Sequence, residues 1–326
     1  MSNKNIMVSI CCITYNHENF IRDAIEGFLM QQTNFDYEII IANDCSPDNT
    51  DSFVKKYINN HPKGKLIKYF RHDKNIGVMP NFIFALKQCT GKYIALCEGD
   101  DYWTDPYKLQ KQVDFLEANL DYTICFHLVE NFYEDGSKPN LIFPPLALQK
   151  HTYTIDDVLK NYFINTCSVM YRWQFYDKPL PSWITNHMLG DYQLHLLYAN
   201  KGKIGLIPEV MAKYRIHVGG ILSTKVKEKK EELLLDRISI LNCFNKYTQY
   251  YHNKIIKHEI NKTYYAIVKN SIDNFDKIKS KELFKEYRKN ICGILKLKLL
   301  LLIYFPFIIY FVMYLKKMNK ILIIKP

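Results

Sequence analysis

Between Met7 and Glu117, short apolar runs alternate with segments whose apolar residues recur at helical spacing. This alternation leaves few folds open. Met7–Thr14, Tyr37–Ala42, Leu66–Phe70 and Tyr93–Leu96 read as strands, mostly too continuously apolar to have a solvated face. Between the first two, Phe20–Gln31 sets Ile21, Ala24, Ile25, Phe28 and Leu29 on one helical face. The turn residues Ser46-Pro47-Asp48-Asn49 introduce a helix from Thr50 to Asn60. Pro80–Cys89 reads as a third helix. Asp105-Pro106 opens a fourth through Glu117, Asp as N-cap and Pro in the first turn. The order predicts an α/β domain, Rossmann-like, with a mostly parallel central sheet and helices on both faces.

The middle is less regular. Tyr122–Phe132 reads as a strand, Pro139–Pro145 as a loop, and Ser168–Arg172 as a short strand. Asp191–Ala199 reads as a helix, and Ile204–Leu206 and Met211–Arg215 as two short strands. Lys225–Asn290 has the pattern of two or three charged amphipathic helices. These shifts divide the chain into a domain over 1–222, a helical extension over 223–295 and a tail over 296–326.

The net charge of +11 is unevenly spread: 22 Lys and Arg face 24 Asp and Glu through Arg215, then 22 face 9 from Ile216 onward. The basic third therefore favours an anionic partner. Leu299–Leu315 holds 17 uncharged residues, broken by Pro306 and bracketed by Lys296, Lys298, Lys316, Lys317 and Lys320. A helix of that length spans about 26 Å, short of a bilayer core of about 30 Å. Lysines on both sides oppose a simple crossing. The tail is expected to bend at Pro306 and enter and leave the cytoplasmic face of a membrane; a buried core helix is the alternative. Basic residues beside an apolar run suit lipid better than nucleic acid, and no nucleic-acid partner is expected. The nine cysteines lack paired C-x-x-C spacing and read as reduced thiols. Ile6–Ile13 reads as a strand rather than a secretory leader.

The fourth strand runs straight into Cys97-Glu98-Gly99-Asp100-Asp101-Tyr102-Trp103. Acids this close repel one another, and a cation among them relieves the repulsion. Open α/β sheets bind ligands at the carboxyl ends of their strands, where this cluster falls. The other strand ends add polar groups: Thr14-Tyr15-Asn16-His17, Asn43-Asp44-Cys45-Ser46-Pro47-Asp48 and Asn75-Ile76-Gly77. Taken singly, each is also what a capped turn looks like.

In this order the four points resemble glycosyltransferase family 2, the inverting transferases of GT-A fold. The resemblance covers roughly residues 6–220 and includes Gly91-Lys92-Tyr93-Ile94 and the D-x-D-D-like Glu98-Gly99-Asp100-Asp101. It implies a nucleoside diphosphate-sugar donor, a UDP-sugar favoured, and Mg²⁺ or Mn²⁺ as cofactor. Thr14, Asn16 and Asp44 would line the base and ribose pocket with Asn75, and Glu98 would contact the ribose. Asp100 would bind the metal, and His217 of Tyr214-Arg215-Ile216-His217 would complete its site. Asp191 of Gly190-Asp191-Tyr192 would act as catalytic base. Glu98 and Asn43 both stand where the family more often has Asp. Tyr102, Trp103 and Trp183 are candidate walls for a sugar face.

The implied activity is sugar transfer to a glycan or lipid-linked acceptor, in the setting of bacterial surface polysaccharide. A sugar nucleotidyltransferase is the nearest alternative, but its basic, glycine-rich phosphate loop is missing after the first strand. A non-catalytic membrane scaffold is the other, and retention of both Asp100 and Asp191 opposes it.

Overall fold

The computed structural model describes residues 6–175, 179–184, 187–220, 226–274 and 276–304. Two compact units divide the chain, 1–227 and 228–326.

The first unit begins with β1 (Val8–Thr14), α1 (Ile21–Leu29), β2 (Tyr37–Asn43), α2 (Thr50–Asn60), β3 (Ile67–Arg71), α3 (Val78–Gln88) and β4 (Tyr93–Leu96). β1, β2 and β4 are buried throughout, as expected when helices cover both faces of a sheet. β2 and β4 both pair parallel with β1, and β3 pairs parallel with β2. One face of these strands joins Phe28, Val54, Leu109 and Leu116 in the main core.

Beyond β4 the sheet departs from the mostly parallel expectation. The chain continues through β5 (Tyr102–Trp103), α4 (Lys108–Ala118), β6 (Tyr122–Tyr133), β7 (Leu141–Phe143), β8 (Thr152–Tyr153), α5 (Ile155–Lys160), β9 (Met170–Arg172), α6 (Gly190–Ala199) and β10 (Lys203–Ile216). The main path runs β3-β2-β1-β4-β9-β6-β10-β5. β9 is antiparallel to both β4 and β6, and β5, β7 and β8 are antiparallel additions. The sheet is therefore mixed. Parallel pairing needs a long crossover, whereas two- and three-residue strands can enter from turns in either direction. Apolar patterning does not encode that direction.

The two short strands expected after α6 are one strand. Register shifts fall between Ile207 and Val210 and between Val210 and Ala212. Pro208 lies within this irregularity, where its missing N–H costs no ladder bond. Helix α4 starts at Lys108 rather than at Asp105-Pro106; Asp105 Oδ1 instead accepts the Tyr107 N–H at 2.7 Å.

The second unit contains α7 (Val226–Tyr247), α8 (Asn253–Asp273), α9 (Lys277–Tyr287) and α10 (Gly293–Tyr304). Ile238, Ile267, Val268, Leu283, Phe284, Leu299 and Ile303 form its core. Among the described residues no helix is long and apolar enough to cross a membrane. The expected tail lies outside them from residue 305 onward.

Under the sheet, Lys108 is fully buried, with Nζ 2.6 Å from Gln112 Oε1 and 3.9 Å from the Trp103 ring centroid. Burial lowers its pKa to about 8. The unfolded chain then holds more protons than the folded one above that value, up to about 10.4. This group's contribution to stability therefore rises with pH across the window and is least favourable below it. Relative to Lys108→Met, the parent is expected to gain on the order of 2 kcal/mol between pH 7 and 10.5. Urea denaturation of both proteins at the two pH values measures this, and a constant difference would count against a charged, buried Lys108.

Candidate active site

Strands β1, β2 and β4 end on one edge. There Asp44 N donates to Thr14 O at 3.0 Å, Cys97 N to Cys11 O at 3.2 Å and Gly99 N to Ile13 O at 3.0 Å. A Cβ on Gly99 would stand 2.7 Å from Thr14 Oγ1, so only glycine lets the acidic turn lie this close to β1. The strand ends open on a cavity of about 230 Å³. Thr14, Asp44, Asn75, Glu98, Asp100 and His217 all line it, although they come from five separate stretches of sequence. Asn16 and Asp191 are not among its lining residues.

The acidic turn is divided electrostatically. Burial pushes the Glu98 carboxyl up to about 8, with the charges of Asp100 and Asp191 adding to the effect. Burial also drives Asp101 well above the carboxylate range, and Asp100 adds to it. Asp100 itself also resists ionisation through burial, but the charges of His17 and His217 outweigh that and hold its carboxyl low. His217 Nε2 lies 3.1 Å, and His17 Nε2 3.8 Å, from Asp100 Oδ2. His17 Nδ1 lies 3.2 Å from Thr14 Oγ1.

Arg215 fixes the turn in place. Its backbone N–H donates to Asp101 Oδ1 at 2.8 Å and its Nε to the Asp100 carbonyl at 2.9 Å. One terminal nitrogen reaches Asp23 Oδ2 at 2.7 Å, and the other pairs with Glu134. Phe20, Tyr102 and Phe132 surround the guanidinium at 4.7, 5.3 and 5.0 Å. A charge only 6% exposed is held here by hydrogen bonds, two carboxylates and three ring faces.

Both carboxylate oxygens of Asp44 accept backbone N–H groups, from Ile76 at 2.7 Å and Gly77 at 2.9 Å. Asp44 thereby ties the loop after β3 to the end of β2 while its remaining lone pairs face the cavity. Asn75 Oδ1 also accepts the Gly77 N–H. Asn16 has a left-handed backbone, φ 59°, and its N–H donates to Ser46 Oγ at 3.0 Å. Ser46 is in turn held by Asn43 Oδ1. Asn16 and Asn43 thus join the loops after β1 and β2.

Asp191 lies in the first turn of α6. Its Oδ2 accepts the Tyr162 hydroxyl at 2.5 Å and the Thr166 hydroxyl at 3.0 Å, and lies 4.0 Å from His195 Nε2. Its charge acts on Glu98. Trp103 is no sugar wall: it is 2% exposed, packs edge-on to Phe28, and donates Nε1–H to Cys167 O.

Sequence reasoning quoted His17 and Arg215 within motifs without selecting them. Their chemistry became visible only when β10 brought its end beside the acidic turn. Nothing in the sequence marked Tyr162 or Thr166.

The residues fit a divalent cation. Asp100 Oδ1 is buried without a hydrogen-bond partner, and its other oxygen faces an imidazole. Among the described residues no group of three or more His, Cys, Asp or Glu is arranged to hold a metal unaided. One carboxylate and one imidazole suit an ion that takes its other ligands from water and a diphosphate.

The family model described as glycosyl transferase family 2 matches residues 9–177. An uncharacterized protein of Mycobacterium tuberculosis is 42% identical over 224 residues, 69% of this chain and 63% of its own length. The match thus spans less than two thirds of that relative. The putative teichuronic acid biosynthesis glycosyltransferase TuaG of Bacillus subtilis is 28% identical over 79% of this chain and 99% of its own. In fold, the chain is similar to S. aureus TarS in complex with UDP-GlcNAc (TM-score 0.55, 14% identity, 88% of this chain and 93% of that one). It is also similar to the Pyrobaculum calidifontis mannosyltransferase PcManGT in complex with GDP-Man and Mn²⁺ (TM-score 0.56, 14% identity, 92% and 86%).

Removing the Arg215 side chain takes the Nε donor from the Asp100 carbonyl, and a buried cation from three ring faces and two exposed carboxylates. Arg215→Ala is therefore expected to destabilise the protein by about 2 kcal/mol, the loss of one charge-assisted hydrogen bond and the cation–ring contacts. Arg215→Lys keeps the charge but loses the planar fork, and should recover only part of that. Denaturant titration measures both. A loss under about 1 kcal/mol, typical of a surface pair, would mean that the turn holds itself.

Proposed function

The chain belongs to glycosyltransferase family 2, and on that premise we propose a metal-dependent, inverting transfer of a sugar from a nucleoside diphosphate donor to a glycan or lipid-linked hydroxyl. The observation that carries this reading is the single cavity shared by Thr14, Asp44, Asn75, Glu98, Asp100 and His217 at the carboxyl edge of the parallel strands. A UDP-sugar is the favoured donor, because the similarly folded TarS is in complex with UDP or UDP-GlcNAc. The GDP-Man complex of PcManGT supports the broader class of nucleotide sugars.

In this reading Thr14, Asp44, Asn75 and Glu98 hold the nucleotide and its ribose, and Asn16 keeps their loop in register through its bond to Ser46. Asp100 and His217 would hold Mg²⁺ or Mn²⁺, which would supply positive charge against the departing diphosphate. Asp191 removes the acceptor's proton. The acceptor oxygen bonds to the anomeric carbon, the bond from that carbon to the diphosphate oxygen breaks, and the proton passes to the carboxylate. Tyr162 and Thr166 hold Asp191 Oδ2 and fix the carboxylate's orientation.

The resemblance to TuaG supports a role in surface polysaccharide assembly. The uncharged run and flanking lysines of residues 296–326 support association with the cytoplasmic face of a membrane.

Asp100→Ala is expected to abolish Mn²⁺-stimulated binding of a nucleotide sugar while leaving the thermal transition in place. Calorimetric titration with and without Mn²⁺ measures this, and unchanged stimulation would remove Asp100 from the metal site. Asp191→Asn is expected to keep donor affinity and lose transfer by about 10²–10⁴-fold. A panel of UDP- and GDP-sugars with Mn²⁺, read as nucleoside diphosphate release, supplies the assay. Transfer within a few-fold of the parent would assign the base elsewhere.

A further inference from the structure

The helical unit carries charge and apolar surface in an arrangement that its own core does not use. Residues 228–326 hold 20 Lys and Arg against 9 Asp and Glu, while residues 1–227 balance at 24 and 24. The whole formal charge of +11 thus belongs to this unit.

Helix α10 is apolar nearly all round, yet only one side is packed. Leu295, Leu299, Leu300 and Ile303 meet the core of the unit. Ile294, Leu297, Leu301 and Tyr304 follow the i, i+3, i+7, i+10 spacing of a single stripe on the other side. Ile294 is 69% exposed, Leu297 55% and Tyr304 51%. A helix apolar on every face normally belongs in a core or in lipid. Beside this stripe α9 and its C-cap present Lys281, Lys285 and Arg288, at i, i+4 and i+7 and all exposed. Several other lysines of the unit pair with acids: Lys279 with Glu231, Lys262 with Glu259 and Lys269 with Asp273. Lys281, Lys285 and Arg288 have no such pairing among the described residues. They line a groove of about 470 Å³ opposite Leu300 and Tyr304, with Phe284 behind, and Glu282 is its only acid among the described residues.

We propose that this α9–α10 face is a docking surface for an anionic phospholipid bilayer, with Lys281, Lys285 and Arg288 receiving lipid phosphates. The exposed stripe of α10 would sink into the acyl boundary beside them, as interfacial helices do. Charge selects this occupant: three cations without an acidic partner among the described residues, Lys281 lying 5.9 Å over the Tyr304 ring, rim an apolar stripe on a unit that holds all the chain's excess positive charge. The proposal deepens the membrane-associated reading by adding cations of α9, ahead of the tail, to an apolar stripe on α10 that runs into the tail's first residues. It does not depend on the transfer chemistry.

The full-length protein is sedimented with phosphatidylcholine vesicles, with and without phosphatidylglycerol. Binding to the anionic vesicles alone is expected. The triple variant Lys281→Ala, Lys285→Ala, Arg288→Ala should lower that partitioning by roughly two orders of magnitude, as loss of three surface cations implies. Leu297→Glu, on an exposed site and harmless to the core, should weaken it as well. Removing three exposed lysines elsewhere, by Lys246→Ala, Lys254→Ala and Lys257→Ala, should change it only a few-fold. Equal losses in the two triple variants would overturn the site in favour of bulk charge, and unchanged binding in the α9 variant would overturn it in favour of the tail. Binding of RNA but not vesicles would overturn it outright. Donor hydrolysis in vesicle-free solution is measured in parallel and should be the same in the α9 variant and the parent. Vesicle binding without any hydrolysis would count against the transferase reading while leaving this one intact.

Discussion

The buried guanidinium of Arg215 is the interaction on which the site depends. Three carboxyl groups share this turn within four residues: burial raises Glu98 and Asp101, His17 and His217 hold Asp100 low, and Arg215 fixes the turn's backbone so that this division holds. Arg215 takes the Asp100 carbonyl through Nε and the Asp101 carboxylate through its backbone N–H. The same side chain reaches Asp23 on α1 and Glu134 just beyond β6. A single cation therefore ties the acidic turn to two other parts of the domain. It leaves Asp101 buried as a structural acid and Asp100 facing His217. With positions set in this way, one carboxylate stays available for a cation.

The loops beyond the parallel strands are held by a second set of bonds, and these bonds are local. Asn43 holds Ser46, Ser46 holds the backbone of Asn16, and Asp44 holds Ile76 and Gly77. Each strand end is thereby coupled to its neighbour's loop, giving the cavity rigid walls before any ligand arrives. Preorganised polar groups of this kind need little rearrangement when charge moves in a reaction. Asn43, which stands where the family often has Asp, is buried and occupied in this chain of bonds. Its substitution therefore leaves the cavity lining itself intact.

Charge is divided between the two units. The α/β unit is balanced, and its notable charges are concentrated at the acidic turn and its partners. The helical unit carries the excess positive charge, and among its described residues Lys281, Lys285 and Arg288 are exposed. An acidic cavity can receive an anionic ligand only with a cation between them, whereas a basic, apolar-edged helical surface suits an extended anionic partner directly.

The sequence by itself determined the elements that positional patterning can encode. Alternating apolar runs gave the bounds of β4 and α2 to the residue, because burial on both faces and helical periodicity leave direct marks on residue order. The acidic turn and the polar strand ends were legible for the same reason: short-range chemistry sits at the ends of those runs. Strand direction was not legible, since β9 has the same apolar character whether it runs with β4 or against it. Nor was the continuity of β10, because Pro208 reads as a break until a bulge absorbs it. Asn16 and Asp44 were chosen as ligand-facing groups, yet both also hold loops through backbone bonds that no pattern shows. Arg215, His17, Tyr162 and Thr166 gained their roles only from the folded chain. Each acts on a residue distant or turned away in sequence, and only tertiary structure decides which side chains meet across such a gap and which of their charges burial leaves exposed to one another.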